Sequence, residues 1–336
     1  MTTALTSGRT RLRASIAMFA GLALLLAGCG GDDDSSSPDD TSNERGGGSA
    51  TAVSPLTGLP AEKTPDKPVM VVKVDNTSSA RPQAGLDGAD LVVEELVEGG
   101  MTRLAAFFYS DHPKEVGPVR SMRDSDVGIV SPTGGKLLAS GGAPGTTERL
   151  DKAGLDVLTE GDSGFSRDKS RTAPYNLMVD LAAAADKLDD SDAPDAYLPF
   201  EEGKLKQGKP VDTFSVTFSG SSTTTWDPTK GGWVRANGPV SPNDDFVANN
   251  VLVLEVEVGD AGYLDPGGNP VPETKFVGEG KAQLFSGGKV VKGTWSKDDY
   301  DSEIKLESAK GKALSVPAGH TFVELVPSDA GSVQLG

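Results

Sequence analysis

Leu91-Val92-Val93-Glu94-Glu95-Leu96-Val97-Glu98-Gly99-Gly100-Met101-Thr102-Arg103-Leu104-Ala105-Ala106-Phe107-Phe108-Tyr109 is the stretch on which the fold turns. Its arms, Leu91 to Val97 and Thr102 to Tyr109, flank Glu98-Gly99-Gly100-Met101, where glycine suits a tight reversal, so the pattern predicts a hairpin. The first arm is ambiguous, because LVVEELV also fits a short helix. Upstream, Pro68 to Asp75 (PVMVVKVD) is Val-rich and reads as a buried strand. Downstream, Lys136 to Ser140 reads as a strand, Thr146 to Lys152 opens like a capped helix with Glu148 in its first turn, and Met178 to Leu188 reads as an alanine-rich helix.

From about Lys204 the pattern changes to short β segments separated by Gly, Pro and Asn. Thr213 to Ser219, Gly232 to Ala236, Asn250 to Val258 and Thr321 to Val326 are strand candidates. Gln283 to Phe285 and Val290 to Trp295 form a hairpin across Ser286-Gly287-Gly288-Lys289, and Gly278-Glu279-Gly280 reads as a turn. The roughly 280 residues after the amino-terminal region exceed what one core usually serves, which predicts two domains. The expected fold class is α+β: an α/β-type domain over 55–203, then a β-rich sandwich or curled sheet over 204–336.

The amino terminus sets a different expectation. Arg9, Arg11 and Arg13 precede the apolar run Ala14 to Leu26, which at roughly 13 residues is too short for the about 20 a membrane-spanning helix needs. Leu26-Ala27-Gly28-Cys29 follows, and Cys29 is the only cysteine. This is the layout of a lipoprotein signal over 1–28, with Cys29 as the lipid-attachment residue and the membrane as its partner through two or more acyl chains. Residues 29–54 are acidic and Gly/Ser-rich, the composition of a tether.

The formal charge of -17 becomes -20 once the three arginines of residues 1–28 are removed. Such acidity repels phosphate backbones and supplies no basic stripe, so nucleic acid is not an expected partner. With Cys29 assigned to lipid, no thiol nucleophile and no intrachain disulfide are expected. His112 and His320 are the only histidines, fall in different expected domains, and read as solvated turn residues, so a Ser-His-Asp triad would have to bridge the domains. There is no Walker-type motif and no Cys/His zinc spacing, and neither a metal nor a cofactor is expected. Asp32 to Asp34 and Asp298-Asp299 lack the spacing of a calcium loop. Trp226, Trp233 and Trp295 read as core anchors rather than sugar platforms.

The densest run of unusual residues lies between Asp75 and Gly142: Asp75-Asn76, Ala80-Arg81-Pro82-Gln83-Ala84-Gly85-Leu86, Ala89-Asp90, Glu94 to Arg103, Gly117-Pro118-Val119-Arg120-Ser121-Met122-Arg123 and Ser140-Gly141-Gly142. With Arg167, Pro174 to Leu177, Asn250-Val251, Gly278 to Ala282, Gly293-Thr294-Trp295 and Pro317 to Thr321, it resembles the YerB-like bacterial lipoproteins over essentially everything after the tether. The resemblance implies an extracytoplasmic, membrane-anchored protein of the cell envelope whose biochemical activity is unassigned. One departure is Tyr175, which stands where many relatives carry a histidine, so no family-wide role for an imidazole is expected there.

Guanidinium groups suit bidentate recognition of carboxylate or phosphate, and Arg81, Arg103, Arg120 and Arg123 lie in an otherwise acidic region. One reading pairs them with Asp90, Glu94, Glu95 and Glu98 in an internal salt-bridge network. Another makes Asp75, Asn76, Arg81, Glu95, Glu98, Arg103, Arg120 and Arg123 the walls of a polar cleft, approached by Arg167 and Asn176, for a cell-wall ligand. The expected function is a binding or scaffolding module of the envelope, for such a ligand or for an envelope protein partner. The alternative is a hydrolase or transferase acting on glycan or a phosphorylated lipid carrier, with Glu95 and Glu98 as acid and base; no catalytic residue is assigned.

Overall fold

Runs of β-branched and aromatic residues set the strands of the computed structural model, which describes residues 52–236, 246–265 and 267–336. In chain order they are β1 (Ala52–Val53), β2 (Pro60–Ala61), β3 (Met70–Asp75), β4 (Leu91–Leu96), β5 (Thr102–Phe108), β6 (Lys136–Leu138), β7 (Val157–Leu158), β8 (Phe165–Arg167), β9 (Leu177–Val179), β10 (Phe200–Glu201) and β11 (Lys209–Pro210). They continue with β12 (Phe214–Ser219), β13 (Ser222–Thr229), β14 (Gly232–Arg235), β15 (Asn250–Leu264), β16 (Pro270–Lys275), β17 (Gly278–Ser286), β18 (Lys289–Lys297), β19 (Lys305–Ser308), β20 (Val316–Pro317), β21 (Thr321–Pro327) and β22 (Ser332–Leu335). The α-helices among the described residues are short: α1 (Asp126–Val130), α2 (Pro144–Lys152) and α3 (Leu181–Ala185).

One mixed sheet of twelve strands organises the molecule, with main path β11-β18-β17-β15-β21-β4-β5-β3-β6-β7. Its central strand, β21, comes from near the end of the chain and pairs in parallel with both β15 and β4, so first and second halves share one hydrogen-bonded ladder. The described chain from residue 52 belongs to one compact unit spanning 50–336. A four-stranded sheet, β14-β13-β12-β22, covers part of one face.

The central strands are buried on both faces, which is why they read as near-continuous apolar runs. Val71, Leu91, Val93, Phe107, Val323 and Leu325 enter one core, while Val72, Val92, Leu104, Phe108 and Phe322 enter the other with Phe214 and Trp226 of the covering sheet. Alternation therefore sends Glu94 and Glu95 to opposite faces, each among apolar neighbours. All three tryptophans are core residues; Trp226 Nε1 donates to Glu324 Oε1 at 2.6 Å and Trp295 Nε1 to the Glu255 carbonyl at 2.8 Å.

The hairpin expected over 91–109 forms, and its ambiguous first arm is the strand Leu91–Leu96, because paired β-branched residues fill a two-sided core. At several other places the structure departs from the sequence reading. The alanine-rich helix is confined to Leu181–Ala185: Asp180 accepts from Ala183 N at 3.0 Å and starts it there, while buried Leu177–Val179 pairs with β8. In α2, Pro144 opens the helix without a side-chain cap, and Thr146 instead donates its hydroxyl to Asp124 at 2.6 Å. Gly278-Glu279-Gly280 is not a turn but the start of β17, where Gly280 faces Trp295 and a Cβ would collide with the Glu255 carbonyl. The end of the expected tether joins the fold, since Ala52–Val53 pairs with β2. The expected signal segment and Cys29 lie outside the described residues, among which no helix is long and apolar enough to cross a membrane.

Candidate functional site

The turn between β4 and β5 places the first site residue. Glu98–Gly100 forms a 3-10 turn in which Gly99 and Gly100 have φ of 69° and 70°, the left-handed region that favours glycine. The Gly100 carbonyl accepts from Ser219 Oγ at 2.6 Å, docking the β12–β13 hairpin onto this turn. Glu98 then meets two guanidinium groups: Arg123 Nε donates to Oε2 at 2.9 Å, Arg103 Nη2 to Oε1 at 3.1 Å, and Arg123 Nη2 also bonds Oε1. Burial pushes the Glu98 carboxyl up, but the Arg123 hydrogen bonds and the charges of Arg103 and Arg123 outweigh it and hold Glu98 below the usual carboxylate range. Burial, reinforced by Arg123, brings Arg103 down to about 10, which leaves it a cation at neutral pH.

Beside this group, Arg120 Nε lies 3.0 Å from Asp75 Oδ2, and its guanidinium carbon stands 5.5 Å from the Tyr175 ring centroid. Asp75 is further held by Thr77, whose amide and hydroxyl donate to Oδ1 at 2.7 and 2.6 Å. Asp75, Glu98, Arg103, Arg120, Arg123 and Tyr175 line one cleft of about 320 Å³, together with Asp265. The Arg120 side chain is 24 % exposed, and its terminal nitrogens form no hydrogen bond with any described residue. Its guanidinium is thus oriented by a carboxylate and an aromatic face while one edge stays available.

A second concavity of about 300 Å³ adjoins the first through the shared residues Thr77, Met101 and Thr102. Asn76, Arg81 and Glu94 line it. Asn76 Nδ2 donates to Glu94 Oε1 at 3.0 Å and to Thr102 Oγ1 at 2.9 Å, and Arg235 Nη1 donates to Asn76 Oδ1 at 2.9 Å. Glu94 Oε2 and Arg81 Nε are buried without hydrogen-bond partners.

The remaining sequence candidates go elsewhere. Glu95, in register with Arg103 and on the same sheet face, is fully buried with Lys73, whose Nζ lies 2.5 Å from Glu95 Oε1 and 2.7 Å from Asp126 Oδ1. Burial alone would depress the Lys73 ammonium, but Asp126 and Glu95 outweigh it and hold it above its usual value. Arg167 ends β8 and Asn176 immediately precedes β9, with Arg167 Nη1 donating to Asn176 Oδ1 at 2.7 Å and Arg167 Nε to Glu160 Oε1 at 2.6 Å. Neither lines the cleft. Glu95 and Glu98 share no cleft, so they do not form an acid and base pair; Glu98 and Asp75, which do share one, are both engaged by arginine. Sequence reasoning missed Lys73 and Asp126, although a lysine within MVVKVD was a signal, since a charge inside a strand buried on both faces needs partners. It also missed Arg235, at the end of β14, and Asp265, which follows β15.

The chain matches the family models for the N-terminal and C-terminal domains of DUF3048, a protein family of unknown function, over residues 56–194 and 214–323. It is 29 % identical over 303 residues to YerB of Bacillus subtilis (strain 168), whose name describes it as a candidate lipoprotein; the alignment covers 84 % of this chain and 89 % of that one. The crystal structure of Bacillus subtilis YerB superposes with a TM-score of 0.70 and 26 % identity, covering 84 % of this chain and 99 % of that one.

Proposed function

The chain belongs to the DUF3048 family, and on that premise we propose that it is an extracytoplasmic lipoprotein, anchored to the cell membrane through lipidated Cys29, that binds a polar envelope ligand in the Arg120 cleft. The ligand carries a carboxylate or phosphate that meets the open edge of Arg120, as a cell-wall fragment does. One observation carries this reading: Arg120 is positioned by Asp75 and Tyr175, yet its terminal nitrogens are unspent in an open cleft. Arg103 and Arg123 are spent on Glu98 and form the rigid back wall. The formal charges lining the cleft balance, three arginines against Asp75, Glu98 and Asp265, which suits a ligand bearing both an acid and hydroxyl or amine groups.

Thermal unfolding of residues 50–336 with peptidoglycan fragments, anionic glycans and polyprenyl phosphate analogues tests the reading. A ligand present at about 100 times its Kd adds roughly 2.7 kcal/mol of stability. That shift is expected to vanish in a folded Arg120→Ala variant. A shift that survives in Arg120→Ala moves the site elsewhere, and no shift with any ligand favours a scaffold that binds protein.

A further inference from the structure

His112 and His320 lie 208 positions apart in sequence, yet both line a cavity of about 580 Å³ at the β1–β2 end of the molecule. The fold brings them together because β21, which His320 precedes, lies beside β4 in the main sheet. Val53, Leu59 and Pro60 supply an apolar wall, and the volume falls within the roughly 300–1,000 Å³ typical of small-molecule sites.

The polar end of the cavity has a defined hydrogen-bonding character. His320 Nδ1 lies 3.0 Å from the Ala89 carbonyl. A carbonyl only accepts, so Nδ1 carries the proton and, in the neutral ring, Nε2 offers a lone pair. Phe246 packs edge-on against that ring at a centroid distance of 6.0 Å and fixes its orientation. His112 Nε2 is buried with no hydrogen-bond partner. Burial lowers the pKa of His112, with Asp111 and Asp90 opposing, which favours its neutral ring. Asp90 is already spent, accepting from the amides of Tyr109 and Ser110 at 2.7 and 2.9 Å and from the Ser110 hydroxyl. Lys63 and Lys67 at the mouth pair with Asp66 and Asp190, leaving Glu62 and Asp90 as an acidic excess that disfavours an anion.

We propose that this cavity is a second ligand site, for a small amphipathic molecule whose apolar body lies against Val53, Leu59 and Pro60 and whose uncharged hydroxylated head hydrogen-bonds His112 and His320. The site is separate from the Arg120 cleft and stands or falls independently of it.

Two histidines give two imidazole spin systems, so nitrogen-15 imidazole spectra of residues 50–336 read the site directly. Titration with n-octyl β-D-glucoside below its micellar concentration is expected to shift both rings saturably. Sodium octanoate, with the same chain and an anionic head, is expected to bind at least about tenfold more weakly. His112→Phe keeps the volume and removes the nitrogen, which should weaken binding about 3- to 10-fold, the worth of one hydrogen bond. His320→Phe is expected to do the same and serves where His112→Phe does not fold. Unshifted imidazoles, a shift confined to one ring, or equal binding of octanoate would overturn the proposal.

Discussion

Glu94 on β4 and Glu324 on β21 stand in register on adjacent parallel strands, placing two almost wholly buried carboxyl groups side by side where the first and last parts of the chain meet. Asn76 and Trp226 each supply one hydrogen bond to the pair, and the second oxygen of each acid is buried without one. Burial raises both pKa values, and Glu94 raises Glu324 further. The pair therefore holds a proton at pH values where free carboxyl groups have lost theirs.

The sign of the resulting pH dependence is fixed. Below the ordinary glutamate pKa both folded and unfolded chains are protonated and the pair contributes no slope. As pH rises above it, the unfolded chain releases protons first, so stability falls until the folded pair ionises. Glu324→Gln keeps an acceptor for Trp226 and removes one acid. Its loss of stability between about pH 5 and 8, measured by urea midpoints, should be shallower than that of the parent by on the order of 1 kcal/mol. Parallel curves for the two proteins would show that the pair does not titrate in this range.

Lys73 is the sole cation between two buried carboxylates, so its removal leaves both uncompensated. Lys73→Met should cost about 3–5 kcal/mol in chemical denaturation. Adding Glu95→Leu and Asp126→Asn should recover much of that loss, because the stranded charges go with them. Strictly additive penalties across the three positions would contradict the triad.

Gly100 combines a φ of 70° with crowding: a Cβ there would lie 2.8 Å from Ser221 Oγ and 2.9 Å from Ser219 Oγ. Gly100→Ala should cost about 1–3 kcal/mol. Gly145→Ala, within α2 and with nothing near its would-be Cβ, should be neutral or slightly stabilising. Thermal midpoints of the two variants compare them, and equal effects would argue against the turn geometry.

How much of this was legible follows from where the partners lie in sequence. The 91–109 hairpin was readable because both arms and the glycine turn are local. The sharing of one cleft by Asp75, Glu98, Arg103, Arg120 and Arg123 was readable because all come from one stretch of fewer than fifty residues. Glu95 was misplaced because, although it shares its sheet face with Arg103 and Asp75, buried Lys73 captures it and withdraws it from the cleft, a pairing that the spacing of the 94–103 segment does not announce. Arg167 finds Asn176 at the end of the short β8–β9 ladder, which their spacing alone does not announce. The meeting of His112 with His320 depends on a parallel pairing between distant strands, for which no local signal exists.

The central position of β21 has a consequence for how the chain matures. Ribosomes deliver a protein amino end first, and Thr321, where β21 begins, is made 225 positions after Leu96, where β4 ends. Until β21 has been made, β4 and β15 each present an open edge on the side that it fills. The main sheet therefore closes only once β21 has been made, and until then the strands that flank it have no common partner to join them into one ladder.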